Sequence, residues 1–122
     1  DVIETTMLNL LCAGNFKTML PKLHSTNFDG IQIIRPLYYI REEHIVRFIQ
    51  NSGIWPLNCA CMVAAKKTGN KRYDIKDLIK SLGDNFKDVE KSIFKAAENV
   101  NMESILGCQE NGVKHSFLER FE

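Results

Sequence analysis

The chain has 122 residues, of which 44% are hydrophobic and 25% charged, a composition typical of a globular domain rather than a disordered tail or a fibre. Basic and acidic side chains nearly balance, and the formal net charge of +1 gives no general attraction to nucleic acid or to a membrane surface. No apolar run approaches the roughly 20 residues that span a bilayer. The sequence opens at Asp1 without a signal-like segment, and we expect residues 1–122 to form a single helical domain of a larger protein.

The first helix is predicted from Ile3, Met7 and Leu10, which share one stripe at helical spacing. Gly14 is expected to end this helix in the left-handed conformation, and a short second helix is expected over residues 15–23. Residues 25–35 start with turn-forming side chains and continue with three isoleucines of high strand propensity. Because a single strand would lack a partner, we expect an extended connector there.

Two prolines mark the starts of two central helices, because the missing N–H of proline costs nothing in a first helical turn. Pro36 precedes an apolar stripe that runs to Ile49, and Gly53 is expected to end that helix. Pro56 precedes a segment that is apolar nearly all round, which is typical of a buried central helix.

The second half of the chain is predicted to add two amphipathic helices and a helical tail. Asp74 caps the first of them and Gly83 ends it, while the second carries an apolar stripe from Phe86 to Val100. A short helix, a turn at Asn111–Gly112 and a last helix are expected after that. The predicted core consists of the inward-facing residues of these helices: Leu10, Phe48, Met62, Leu78, Leu82, Phe86, Val89 and Ile93.

Glycines recur at the ends of the predicted helices. Gly14, Gly53, Gly83 and Gly112 are separated by 39, 30 and 29 residues, as in helix–turn–helix hairpins laid end to end. The segment Leu8–Phe16 is similar to the first helix and turn of a pentatricopeptide unit, and the chain resembles the tetratricopeptide and pentatricopeptide repeat families. We predict an all-α fold of six to seven helices stacked as antiparallel hairpins. The resemblance implies an irregular α-repeat, and a compact bundle in which the glycines simply end helices is the alternative.

Four cysteines, Cys12, Cys59, Cys61 and Cys108, each lie within an apolar run. Free cysteine packs as a small hydrophobe, so we expect buried thiols rather than two disulfides. Unpaired thiols favour a reducing compartment and predict an intracellular protein, cytoplasmic or nuclear. The spacing of Cys59 and Cys61 is too short for a zinc knuckle, and no metal is expected.

The sequence contains no glycine-rich phosphate loop, no Gly-x-Ser-x-Gly motif and no cysteine with an evident histidine partner. His44 lies on an apolar stripe, where a single histidine is usually a core or boundary residue. Glu42 and Glu43 are neighbours on one solvated face, whereas an acid–base pair needs two different environments. We therefore predict that the protein is not an enzyme and has no cofactor, metal or small-molecule substrate.

Residues 66–80 carry six basic and two acidic side chains, a local net charge of +4. An aromatic ring within a basic segment can stack on a base while its neighbours bind phosphates. The candidate nucleic-acid contacts are Lys66, Lys67, Lys71, Arg72, Tyr73 and Lys76. A solvated helix face explains the same pattern, and an acidic protein partner is a further alternative.

Three aromatic residues are the candidate partner-binding positions. Trp55 lies between Gly53 and Pro56, where it either caps the core or, if exposed, anchors a protein interface. Tyr38 and Tyr39 are adjacent, so they cannot both face inward. We predict a non-enzymatic protein–protein interaction or scaffold module that binds a protein partner or a second copy of itself on a concave helical surface, with RNA binding through residues 66–80 as the alternative.

Overall fold

The computed structural model describes residues 1–56 and 71–121. Within those residues the chain forms four α-helices and two small antiparallel sheets. The helices are α1 (Val2–Leu8), α2 (Glu42–Ser52), α3 (Lys71–Gly83) and α4 (Val89–Ala96). The strands are β1 (Lys22–His24), β2 (Gln32–Ile34), β3 (Gly107–Glu110) and β4 (Val113–Ser116). A π-helical turn (Asn9–Ala13) continues α1, and two 3-10 turns (Met102–Ser104 and Phe117–Phe121) flank the second sheet.

The prediction of an all-α fold with six to seven stacked helices is therefore wrong, and the helical-repeat interpretation falls with it. The regular spacing of the glycines led to the wrong prediction, because these glycines end different kinds of structure. Gly14 and Gly53 do end helical segments in the left-handed conformation, with φ of 64° and 72°, as predicted. Gly112, at φ 76°, instead forms the turn between two strands.

The first sheet replaces the predicted helix over 15–23 and the predicted connector over 25–35. β1 pairs with β2 in antiparallel register, with Lys22 opposite Ile34 and His24 opposite Gln32. The hydroxyl of Ser25 accepts hydrogen bonds from the backbone N–H groups of Asn27 and Phe28, which turns the chain back on itself. The strand of isoleucines therefore does have a partner, namely the three residues that follow Pro21.

The second sheet replaces the predicted helices of the tail. Asn111 and Gly112 both have positive φ, of 51° and 76°, and form a two-residue turn that places Glu110 opposite Val113. Asparagine followed by glycine is the usual sequence for this turn, because its twist matches that of the two strands. The predicted turn at these two residues is confirmed, whereas the helices predicted on either side of it are wrong.

A small hydrophobic core lies where α1 packs against α3 and α4, which also contact each other. Its buried members among the described residues are Met7, Ile75 and Ile79, and the side chains that pack on them are Ile3, Leu8, Leu82 and Ile93. Helix α3 contributes two of the three buried residues, four positions apart, so one face of α3 is fixed inward. The opposite face of α3 remains available to solvent.

Several residues of the predicted core are exposed instead. Phe86 and Phe48 are 58% and 65% exposed, and Leu10 and Leu78 are also exposed, whereas Leu82, Val89 and Ile93 are half-buried. Helical periodicity identifies the apolar side of a helix but does not say whether another element covers it. Helix α2 makes the point, since none of its residues is buried.

The cysteines that the structure describes are also less buried than predicted. Cys12 is exposed and Cys108 is half-buried, and both are free thiols. Cys59, Cys61, Met62 and the helix predicted after Pro56 lie outside the described residues. Among the helices described, none is long and apolar enough to cross a membrane.

Candidate functional site

The basic stripe of α3 is the part of the predicted nucleic-acid surface that the structure describes. Arg72, Lys76 and Lys80 recur every four residues and so line one side of the helix, with the ring of Tyr73 beside them. Lys71 precedes the stripe and is exposed, as is Lys80 at its far end. Lys66 and Lys67 lie outside the described residues.

Arg72 and Lys76 connect α3 to the neighbouring helices. The guanidinium of Arg72 lies 3.6 Å from Glu4 Oε1 and donates a hydrogen bond of 3.1 Å to the hydroxyl of Thr5. The ammonium of Lys76 donates a hydrogen bond of 3.0 Å to Glu42 Oε2. Two of the predicted nucleic-acid contacts therefore also have a structural role.

Lys76 remains charged well into the alkaline range. The hydrogen bond from its ammonium to Glu42 raises the pKa of Lys76, and the nearby charge of Glu4 acts in the same direction. Its Nζ also lies 5.8 Å from the centroid of the Tyr73 ring, within reach of a cation–π contact. Lysine and tyrosine are thus held side by side on the solvent face of α3.

Carboxylates around this stripe are close together. Carboxylate oxygens of Asp1, Glu4 and Glu42 lie within 4.8 Å of one another. These three side chains are the one set of possible metal ligands among the described residues. Arg72 and Lys76 reach into the same place and supply the opposite charge. The arrangement is an ion-pair network between α1, α2 and α3.

The three predicted partner-binding aromatics have different surroundings. Tyr38, Tyr39 and Phe94 form a cluster with ring centroids 5.3 to 5.6 Å apart. Within it Tyr38 is half-buried, and its hydroxyl donates to the carbonyl of Met19 at 2.8 Å. Tyr39 is 75% exposed and Trp55 is 92% exposed.

Burial of the Tyr38 ring raises the pKa of its hydroxyl, and the neighbouring Tyr39 adds to the effect. Of the two tyrosines, Tyr38 thus holds the connection before α2 in place, while Tyr39 presents its ring to solvent. His44, expected at the core boundary, is exposed and lies 3.6 Å from Glu43.

The structure also contains a cleft that was not predicted from the sequence, which we call the hairpin cleft. It has a volume of about 170 Å³ and lies beside the second sheet. Its apolar lining includes Met102, Ile105 and Phe117, and its polar lining includes Cys108, His115 and Glu119. Cys108 lies opposite His115 in the sheet register, and His115 Nδ1 is 3.2 Å from Glu119 Oε2.

A signal for this pairing was present in the sequence. Cys108 stands three residues before Asn111, and His115 stands three residues after Gly112. A two-residue hairpin turn at that dipeptide places the cysteine directly opposite the histidine. The prediction of two helices on either side of this turn placed Cys108 and His115 far apart. It therefore led to the wrong conclusion that no cysteine has a histidine partner.

Comparison with known proteins returned similar sequences, whereas no family model and no solved structure matches. The tRNA-cytidine(32) 2-sulfurtransferase of Geotalea uraniireducens is 36% identical over 107 residues, which are 87% of this chain and 41% of that protein. The protein of the same name from Pelobacter propionicus is 34% identical over 113 residues, 93% of this chain and 41% of that protein. The one from Vibrio vulnificus is 32% identical over 100 residues, 82% of this chain and 31% of that protein.

These relatives overturn the sequence-based prediction of function. They are named as enzymes that act on tRNA, so the prediction of a non-enzymatic interaction or scaffold module is wrong, and its RNA-binding alternative is favoured. The chain spans about two-fifths of the length of the first two relatives. The lack of a catalytic motif within such a share of a protein does not argue against catalysis by the whole.

Proposed function

We propose that this chain is part of a longer enzyme that transfers sulfur to a cytidine of tRNA. The observation that carries the proposal is the similarity to tRNA-cytidine(32) 2-sulfurtransferases, which extends over 82% to 93% of the chain in the relatives named above. Identity at this level along nearly the whole chain supports a common fold. It also supports residues 1–122 as one unit within a larger polypeptide.

Exposed apolar side chains are consistent with a unit that packs against other parts of a longer polypeptide. Helix α2 presents Phe48 to solvent at 65% exposure, and Ile45 and Ile49 on the same side are only half-buried, although its polar side faces α3 through Glu42. An amphipathic helix is stable in a folded protein when its apolar side is covered. Coverage by another part of the same polypeptide would bury those side chains.

The basic stripe of α3 is our candidate for contact with tRNA phosphates. Lys80 is exposed, and the pair between Lys76 and Glu42 is exposed enough to exchange its partner, with 38% and 60% of the two side chains accessible. Exposed ion pairs of this kind contribute only about 0–1 kcal/mol. A phosphate oxygen can therefore replace the carboxylate of Glu42 at little cost, and the ring of Tyr73 beside Lys76 can stack on a base.

The test is the affinity of the full-length protein for tRNA as a function of salt. Each phosphate that the protein binds releases counterions, so replacing Lys76 and Lys80 with glutamate should weaken binding and make the log–log salt dependence less steep, by about one for each phosphate no longer bound. Glu42→Gln should instead strengthen binding severalfold, because it frees Lys76 and removes a negative charge. Lys91→Glu on α4 makes the same charge change elsewhere and serves as the control.

Equal reductions of affinity in the Lys91→Glu control and in the two stripe variants would contradict a specific role for α3. An unchanged salt slope in Lys76→Glu and Lys80→Glu would do the same. Neither outcome would bear on sulfur transfer itself, which is measured on the tRNA product.

A further inference from the structure

We propose that Cys108, His115 and Glu119 form a nucleophilic thiol site in the hairpin cleft, and that this site accepts a sulfane sulfur atom from a persulfide donor. The thiol site follows from the geometry of the second sheet. The choice of sulfur as its ligand rests on the proposed function.

The β3–β4 pairing makes Cys108 and His115 neighbours across the sheet. Cys108 and His115 are direct cross-strand partners and so share one face of the sheet. Side chains in such positions have Cβ atoms about 4.5–5.5 Å apart. They are also the two half-buried residues of these strands, while the other six are exposed. The sheet thus turns this one pair towards the cleft.

Glu119 completes the arrangement of nucleophile, base and orienting carboxylate. Its Oε2 lies 3.2 Å from His115 Nδ1, so with the imidazole proton on Nδ1 the ring donates to the carboxylate. Nε2 is then left with a lone pair that can accept the proton of a thiol. The same division of roles activates cysteine nucleophiles in enzymes of unrelated folds.

The rest of the cleft favours a small ligand. The guanidinium of Arg120 belongs to the lining and donates a hydrogen bond to the carbonyl of Met102. The volume of about 170 Å³ is below the roughly 300–1,000 Å³ of pockets for drug-sized molecules, which favours the end of a persulfide over a nucleoside.

The proposed step transfers sulfur without net oxidation or reduction. His115 takes the proton of the Cys108 thiol, and the thiolate attacks the terminal sulfur of the donor R–S–SH. A new S–S bond forms to Cys108 as the S–S bond of the donor breaks, and R–S⁻ leaves with the proton held by His115. The products are a persulfide on Cys108 and the free thiol R–SH.

The experiment treats the full-length protein with glutathione persulfide and follows the addition of one sulfur atom at each cysteine by peptide mass spectrometry. Cys108 should react at least about tenfold faster than the exposed Cys12, because general-base assistance contributes at least that much. His115→Ala and His115→Gln should both remove the advantage of Cys108 and leave the rate of Cys12 unchanged. Glu119→Gln should lower the rate at Cys108, and Glu119→Asp should restore part of it, as expected for a positioning carboxylate.

Equal rates at Cys108 and Cys12, or an unchanged Cys108 rate in both His115 variants, would overturn the proposal. Fast alkylation of Cys108 by iodoacetamide without uptake of sulfur would overturn its choice of ligand. The assay contains no tRNA, so its result is independent of the proposed function. Cys108→Ser should still bind tRNA like the parent protein, and a loss of binding in this variant would contradict a role confined to sulfur.

Discussion

The guanidinium of Arg72 lies 3.6 Å from Oε1 of Glu4 and joins the middle of α1 to the start of α3. Glu4 is 8% exposed, and the same oxygen has no hydrogen-bond donor within range in the described part of the chain. A carboxylate this far from water depends on the charges around it. Arg72 therefore stabilises the packing of α1 on α3, whatever else it binds.

Arg72→Ala should lower the free energy of unfolding by about 1–3 kcal/mol, because it removes the ion pair of the buried Glu4 carboxylate with Arg72. Lys71→Ala removes an exposed charge one residue away and should change that free energy by less than about 0.5 kcal/mol. Urea denaturation of the full-length protein measures both. If Glu4→Gln abolishes the effect of Arg72→Ala, the interaction is the one described; two additive single effects would contradict it.

Ile79→Ala tests the position of the small core. Ile79 is 6% exposed and packs between α1 and α4, so its truncation should cost about 2–5 kcal/mol. Lys80→Ala, at the next position of the same helix, exchanges an exposed side chain for a good helix former and should be nearly neutral. Thermal unfolding of the two variants measures both changes in stability. Similar destabilisation by Ile79→Ala and Lys80→Ala would show that the core lies elsewhere.

Gly107→Ala should disrupt the hairpin cleft. A Cβ at Gly107 would lie 2.6 Å from the backbone carbonyl oxygen of His115, and backbone cannot move aside as a flexible side chain can. Gly83→Ala is the matched control, since a Cβ there meets no atom within 4 Å. We expect the first variant to reduce the reaction of Cys108 with iodoacetamide to that of Cys12, and the second to leave it unchanged; a Gly107→Ala protein with parental Cys108 reactivity would be inconsistent with this register.

Tyr38 should make the stability depend on alkaline pH. Its pKa in the folded protein is raised above the ordinary value of about 10, mainly by burial, so the unfolded chain releases this proton first. The contribution of Tyr38 is complete below pH about 10 and is lost as the pH rises through the folded pKa. Tyr38→Phe should weaken that alkaline loss and cost about 1 kcal/mol at neutral pH, because the hydrogen bond to Met19 is removed.

Urea denaturation between neutral and alkaline pH measures this effect. Tyr39→Phe removes a hydroxyl from the exposed neighbouring ring and should change the free energy of unfolding at neutral pH by less than about 0.5 kcal/mol. An alkaline loss of stability as large in Tyr38→Phe as in the parent would show that other groups account for it.

The helix ends and the turn that depend on neighbouring residues were predicted correctly from the sequence. The end of α3 at Gly83, the left-handed ends at Gly14 and Gly53, and the turn at Asn111–Gly112 follow from residues close together in the chain. The predicted start of α3 is wrong, because Asp74 lies within the helix and does not cap it. Pairing between strands is not local in the same way. In strands of three and four residues, the alternation of apolar and polar side chains is too short to be distinguished from a helical stripe. The residue that pairs with Ile34 is Lys22, which lies well before it in the chain.

The site was harder to predict than the elements, because it depends on which faces are covered. Residues 66–80 are identified from the sequence as a basic segment, but the ion pairs of Arg72 and Lys76 join helices whose packing no local pattern encodes. Phe48 and Phe86 are exposed for the same reason, since periodicity does not identify the covering element. Function was predicted wrongly because the chain alone carries no motif for the chemistry that its relatives are named for.

The content of 2-thiocytidine in cellular tRNA tests the central claim most directly. Liquid chromatography and mass spectrometry of tRNA nucleosides would compare cells with and without the gene that encodes this chain. We predict that deletion abolishes 2-thiocytidine and that the intact gene restores it, while the other modified nucleosides keep their levels. An unchanged content of 2-thiocytidine in the deletion strain would contradict the account.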